Sequence, residues 1–150
     1  PGLPEDRKES LAVYVRACLD WTERRNPHEM VESLHEAVEG DPHEPVYRYL
    51  LGFFALKAGL HETALKNFES GAAMPDIPQR ISAQKLWQAR TLDILGRRDE
   101  AVLVYSDLAR TSGLWQVLRR AAVKGVWRRY TRRSLSKCSP DFFYGDVYPY

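Results

Sequence analysis

The sequence predicts an all-α protein built of antiparallel helical hairpins, and three observations carry that prediction. Apolar residues recur at spacings of three and four along most of the chain. Gly and Pro fall almost entirely between those periodic segments. The segments come in pairs, and the pairs recur at a nearly fixed interval.

Taken in order, helices are expected over LAVYVRACLDWTER (11–24), HEMVESLHEAVEG (28–40), PVYRYLLGFFALKAG (45–59), HETALKNFESGAA (61–73), SAQKLWQARTLDILG (82–96) and DEAVLVYSDLART (99–111). Short breaks join them, so they read as three hairpins. No alternating pattern of strand type interrupts the series. Units starting at Leu11 and Pro45 lie 34 residues apart, and a third begins near Ser82 after an insertion of three residues around Pro75, Ile77 and Pro78. After Gly113 the segment LWQVLRRAAVKGVWRRYTRR extends the helical pattern, with Trp115, Leu118, Ala122, Val126 and Tyr130 on one face and cations on the other.

With 150 residues, 44% of them apolar, the chain is long enough for one domain with a real core. Its net charge of +2 hides an uneven distribution. Residues 1–113 hold 14 of the 22 basic and 18 of the 20 acidic side chains, whereas 114–140 hold eight basic and no acidic ones. The longest nearly unbroken apolar run, LLGFFAL at 50–56, is too short to span a bilayer, and PGLPEDRKES has no signal-peptide character. Cys18 and Cys138 match no ligand or redox spacing. A cytoplasmic chain is therefore expected, with the Pro-Gly-Leu-Pro start suggesting a piece cut from something longer.

The 34-residue period is that of the tetratricopeptide family, and the chain resembles it over residues 11 to about 113. The second unit carries the likeness best, with Leu51-Gly52, Gly59, Ala64, Phe68 and Gly71. The first matches at Tyr14, Cys18, Trp21, Leu34, Ala37 and Asp41-Pro42, the third at Ala89, Leu92, Gly96, Ala101 and Tyr105. Arg48 and Lys85 depart from the pattern where the family prefers an aromatic, and Met30 replaces a small residue. The resemblance implies a short right-handed superhelix with repeats at about 11–44, 45–78 and 82–113, and a capping helix at 114–133. Residues 1–10 then read as a linker, 11–137 as the repeat domain and 138–150 as an extended aromatic tail.

In this family the first helix of each hairpin lines a concave surface that holds extended peptides. Carried onto this chain, the inward positions include Val15, Arg16 and Leu19, then Tyr49, Phe53 and Leu56, then Leu86, Trp87, Arg90 and Asp93. Aromatic anchors flanked by arginine suit a peptide hot spot. Val15 and Leu19 stand where a family subset uses Lys and Asn to grip a peptide carboxylate, which disfavours that class of ligand. The expected function is a protein-interaction scaffold or adaptor. Alternatives are a non-catalytic accessory or oligomerisation domain of a larger enzyme, or binding of nucleic acid or an anionic membrane through Arg119, Arg120, Lys124, Arg128, Arg129, Arg132 and Arg133.

The tail offers a candidate occupant for the groove. Phe142, Phe143, Tyr144, Tyr148 and Tyr150 lie on a segment whose Gly and Pro forbid a helix, and five rings left in water would make a sticky patch. The tail is expected to cross the array in cis, to fill the groove of a neighbouring chain, or to cap the last hairpin. His28, Glu32 and His35 share a helix face, but their spacing is not HExxH and no third strong ligand is evident, so no metal site is expected. No Gly-rich phosphate loop, nucleophile elbow or buried carboxylate pair can be assigned, so no enzymatic activity and no cofactor are expected.

Overall fold

The computed structural model describes residues 2–140 and 142. It is all-α: among the described residues there are eight helices and no strand. These are α1 (Glu5–Arg24), α2 (Pro27–Gly40), α3 (Pro45–Lys57), α4 (His61–Ala72), α5 (Pro78–Ile94), α6 (Arg98–Ala109), α7 (Gln116–Trp127) and a single turn, α8 (Arg132–Ser136). Each of α1 to α7 packs on its neighbours in sequence, and α5 additionally touches α3 and α7.

Local chemistry sets the boundaries. Three helices start on proline at the first helical position, Pro27, Pro45 and Pro78, where a missing N–H costs nothing. Asn26 Oδ1 accepts from the His28 amide at 3.0 Å, and the Glu44 carboxylate from the Val46 amide at 3.2 Å. At the other ends, Gly59 and Gly96 adopt φ of +82° and +80° and close α3 and α5 in the same way. The Leu60 amide donates to the Ala55 carbonyl and the Arg97 amide to the Leu92 carbonyl, each at 2.8 Å, which is the Schellman pattern. Arg25 takes the left-handed conformation after α1, with φ of +51°. Gly113 also takes a left-handed φ, +71°, in the turn between α6 and α7, and the shared closing geometry of Gly59 and Gly96 recurs after 37 residues.

Two expected boundaries move. Residues 1–10, read above as a linker, contain the start of α1 at Glu5. Glu5 and Asp6 in the first turn oppose the positive end of the helix dipole, and the Ser10 hydroxyl donates to the Asp6 carbonyl. Ser10 is buried because the end of α2 comes close enough that a Cβ on Gly40 would lie 2.0 Å from its Oγ. The capping helix expected over 114–133 stops at Trp127, and Arg128 is extended. The Arg98 guanidinium donates to the Val126 carbonyl at 2.9 Å, taking up a carbonyl of the last turn, and the chain then doubles back. Trp115, expected on the packed face of that helix, is half exposed at its N-cap.

The core centres on α3, which is buried at Tyr47 and from Tyr49 through Leu56, as suits a helix covered on all sides. A line of touching rings runs through it from Trp21 to Phe54, Phe53, Trp87 and Tyr130, with centroid separations of 4.6, 5.2, 5.2 and 5.8 Å. Phe68 of α4 sits beside this line against Tyr49 and Trp87, and Gly52 makes room for it. A Cβ on Gly52 would lie 2.8 Å from the Phe68 ring. Gly52→Ala is therefore expected to destabilise the protein by about 1–3 kcal/mol in chemical denaturation, because Phe68 is wedged and cannot retreat.

Candidate interaction surfaces

The residues expected to line one continuous groove fall into two environments. Tyr49, Phe53, Leu56, Leu86 and Trp87 are buried to 1% exposure or less, so they are core in this structure and form no open channel. Val15, Arg16 and Leu19 lie on the outer side of α1 and are exposed. Arg90 is intermediate, its guanidinium carbon 4.6 Å from the Trp87 ring centroid and 4.7 Å from that of Tyr130.

The segment that follows α7 helps to close the expected groove. Tyr130 packs its ring on Trp87 and donates its amide to Asp93 Oδ2 at 2.8 Å. The α8 turn begins at Thr131, whose Oγ1 accepts from the Ser134 amide, and it places Leu135 in the core. Lys57 Nζ reaches across from α3 and donates to the Leu135 carbonyl at 3.2 Å. Pro140 is buried, and Cys138 and Phe142 are half-buried against the same core. Phe143, Tyr144, Tyr148 and Tyr150, the rest of the expected tail aromatics, lie outside the described residues. A cleft of about 600 Å³ remains beside α8, lined among others by Trp21, Arg25, Leu56, Lys57 and His61.

Asp93 is the polar hub that anchors this closure. Its buried carboxylate accepts from Arg98 Nη1 at 3.0 and 3.1 Å, from the Tyr105 hydroxyl at 2.9 Å and from the Tyr130 amide. A buried carboxylate is tolerated only when its charge is matched and its lone pairs are filled, and this one meets both conditions. Burial, followed by the nearby Asp93 charge, pushes the Tyr105 hydroxyl far above the ordinary tyrosine range, so it stays a donor. Burial likewise pushes Tyr130 up to about 12. Sequence reasoning placed Asp93 at an inward position but missed its partners. The available signal was a lone acid among apolar inward residues, which demands a cation and donors from elsewhere in the chain.

Apolar side chains stand open on α7, at Val117, Val123 and Trp127, and on α1. Leu11, Val15 and Leu19, spaced four apart, are 44%, 48% and 62% exposed. With Lys8, Ala12 and Arg16 they line a shallow trough of about 490 Å³.

The basic residues also divide. Arg119 is structural, because its guanidinium donates to the Ala109 and Thr111 carbonyls at the end of α6, the latter at 2.7 Å. Arg120, Lys124, Arg128, Arg129, Arg132 and Arg133 are exposed. Lys124, Arg128 and Arg129 line one cleft with Arg90, while Arg132 faces the separate cleft beside α8. Cys18 is buried, which raises its thiol to about 11, and neither cysteine is in a disulfide. No described helix is long and apolar enough to cross a membrane. His28, Glu32 and His35 are all exposed on α2.

Compared with protein-family models, curated proteins and solved structures, the chain matches none significantly.

Proposed function

We propose that this chain is a protein-interaction scaffold of the tetratricopeptide type that docks a partner polypeptide along the outer face of α1. One observation carries this reading: three branched apolar side chains at helical spacing stand open on one face, with no described residue covering them. Their spacing suits a partner helix offering apolar side chains at three- and four-residue intervals. Lys8 and Arg16 flank the trough, so the partner segment carries Asp or Glu beside its apolar stripe.

On this reading the centre of the expected peptide groove is filled by the chain itself, through Tyr130 and Leu135, and the working surface has moved to the edge of the array. The oligomerisation alternative makes a different demand of the same face, namely that its occupant is a second copy.

The test is a selection of helical peptides from a displayed library on the wild-type protein and on a Val15→Glu, Leu19→Glu double variant. Both sites are exposed, so the variant is expected to keep its stability to within about 0.5 kcal/mol. Enrichment of acidic, amphipathic peptides on the wild type and its loss on the variant is the expected outcome. Equal enrichment on both proteins overturns the reading. A wild-type dimer in sedimentation that the double variant abolishes assigns the face to self-association instead.

A further inference from the structure

We propose that the cleft between α5, α7 and the turn after α7 is a binding site for a phosphate group, held by Arg90, Lys124, Arg128 and Arg129. The cleft measures about 370 Å³, and Thr131 and Ser134 add hydroxyls to its wall. It is separate from the α1 trough, so the inference goes beyond the proposed scaffold function.

Four cations line this cleft and no acidic residue does. Among the described residues, none of the four is within ion-pair distance of a carboxylate. The nearby carboxylate of Asp93 is already matched by Arg98 and filled by Tyr105 and Tyr130, so it leaves the field of the cleft uncancelled. Like charges gathered in a concave site repel one another, and an anion of matching charge relieves that repulsion.

Arg90 gives the site its fixed element. Its guanidinium carbon lies 4.6 Å from the Trp87 ring centroid and 4.7 Å from that of Tyr130, two rings set nearly perpendicular to each other, so the fork is held in the corner they form. Its Nη1 is buried and lacks a hydrogen-bond partner among the described residues. An unsatisfied buried guanidinium nitrogen is costly, and an acceptor oxygen entering the cleft would satisfy it. Lys124, Arg128 and Arg129 are exposed at the mouth and free to close on the ligand.

The number of cations selects the ligand class. A single carboxylate is neutralised by one arginine, whereas a phosphate monoester carries close to two charges and offers tetrahedral oxygens to several convergent donors. The volume exceeds that of one phosphoryl group, leaving room for a second phosphate or the body of a phosphorylated molecule.

Inorganic pyrophosphate is the minimal probe, titrated calorimetrically into the full chain. Saturable binding at one site per chain is expected. Arg128→Gln with Arg129→Gln, both at exposed positions, should weaken it by about tenfold to a hundredfold, the range for losing charge-assisted hydrogen bonds. Arg90→Met, which keeps an extended side chain against both rings, should do the same. Arg132→Gln with Arg133→Gln removes equal charge outside the cleft and should leave the affinity within about twofold.

An equal loss in that control would show diffuse attraction to the basic segment and overturn the site, as would absence of saturation at millimolar pyrophosphate. Vesicles containing phosphatidic acid distinguish the source of the phosphate. Sedimentation that depends on Arg90 and Arg128 assigns a lipid headgroup, and pyrophosphate binding without sedimentation assigns a soluble phosphate compound. The Val15→Glu, Leu19→Glu variant should bind pyrophosphate normally, so the scaffold reading and the phosphate site can fail independently.

Discussion

Replacing Asp93 with alanine is expected to destabilise the protein by about 3–5 kcal/mol and to lower Tm by roughly 10 °C or more. The loss is large because three groups depend on one buried carboxylate. Arg98 would keep a largely buried charge without its partner, and the Tyr105 hydroxyl and Tyr130 amide would each lose their acceptor. Asp93→Asn retains an acceptor oxygen but not the charge, so it should fall between wild type and alanine. The defect should also be local before it is global. Without the Tyr130 amide bond, the stretch over 128–133, which contains four arginines, should open and be cut by trypsin well before the helical core unfolds. Wild-type cleavage rates in Asp93→Ala, or a loss below about 1 kcal/mol, would show that Asp93 does not hold the closure.

Trp87→Ala should cost a similar amount, about 3–5 kcal/mol. Trp87 is fully buried and meets Phe53, Phe68, Tyr130 and Arg90. Removing the indole leaves a void bounded by three aromatic side chains that are themselves fixed by other contacts, so little of the space can collapse. Chemical denaturation reads the loss directly. The position matters for function because a tryptophan on a peptide-binding surface would lose partner affinity with little loss of stability. The 0% exposure of Trp87 assigns it the other behaviour, and Leu19→Glu is the substitution expected to behave as a surface change.

Helix type and the order of elements were legible from the sequence because both follow from local rules. A 3.6-residue period, proline at the first turn and glycine after the last act within a few residues. The left-handed glycine turns at Gly59 and Gly96 belong to that local class. The small residue at Gly52 is not of that class, since its need is set by Phe68 one helix away. The start of α1 at Glu5 escaped because Glu5 to Glu9 carry no apolar period, and that first turn is set by its charges and by the contact of Ser10 with the end of α2.

The candidate site was legible only in its residue types. Val15, Leu19, Phe53 and Trp87 all read as inward apolar positions, and nothing local separates a side chain that another segment covers from one that stays open. That distinction depends on where residues 128–140 go after α7, which is decided by Arg98 on α6 holding the Val126 carbonyl and by Asp93 on α5 accepting from the Tyr130 amide, 37 residues away. The same reversal divided the basic residues, assigning Arg119 to carbonyls of α6 and gathering Lys124, Arg128 and Arg129 around Arg90. Sequence alone determined that this chain is all-α and rich in apolar and basic faces. The tertiary structure alone decided which of those faces remain open, because burial and charge pairing depend on contacts that span the whole chain.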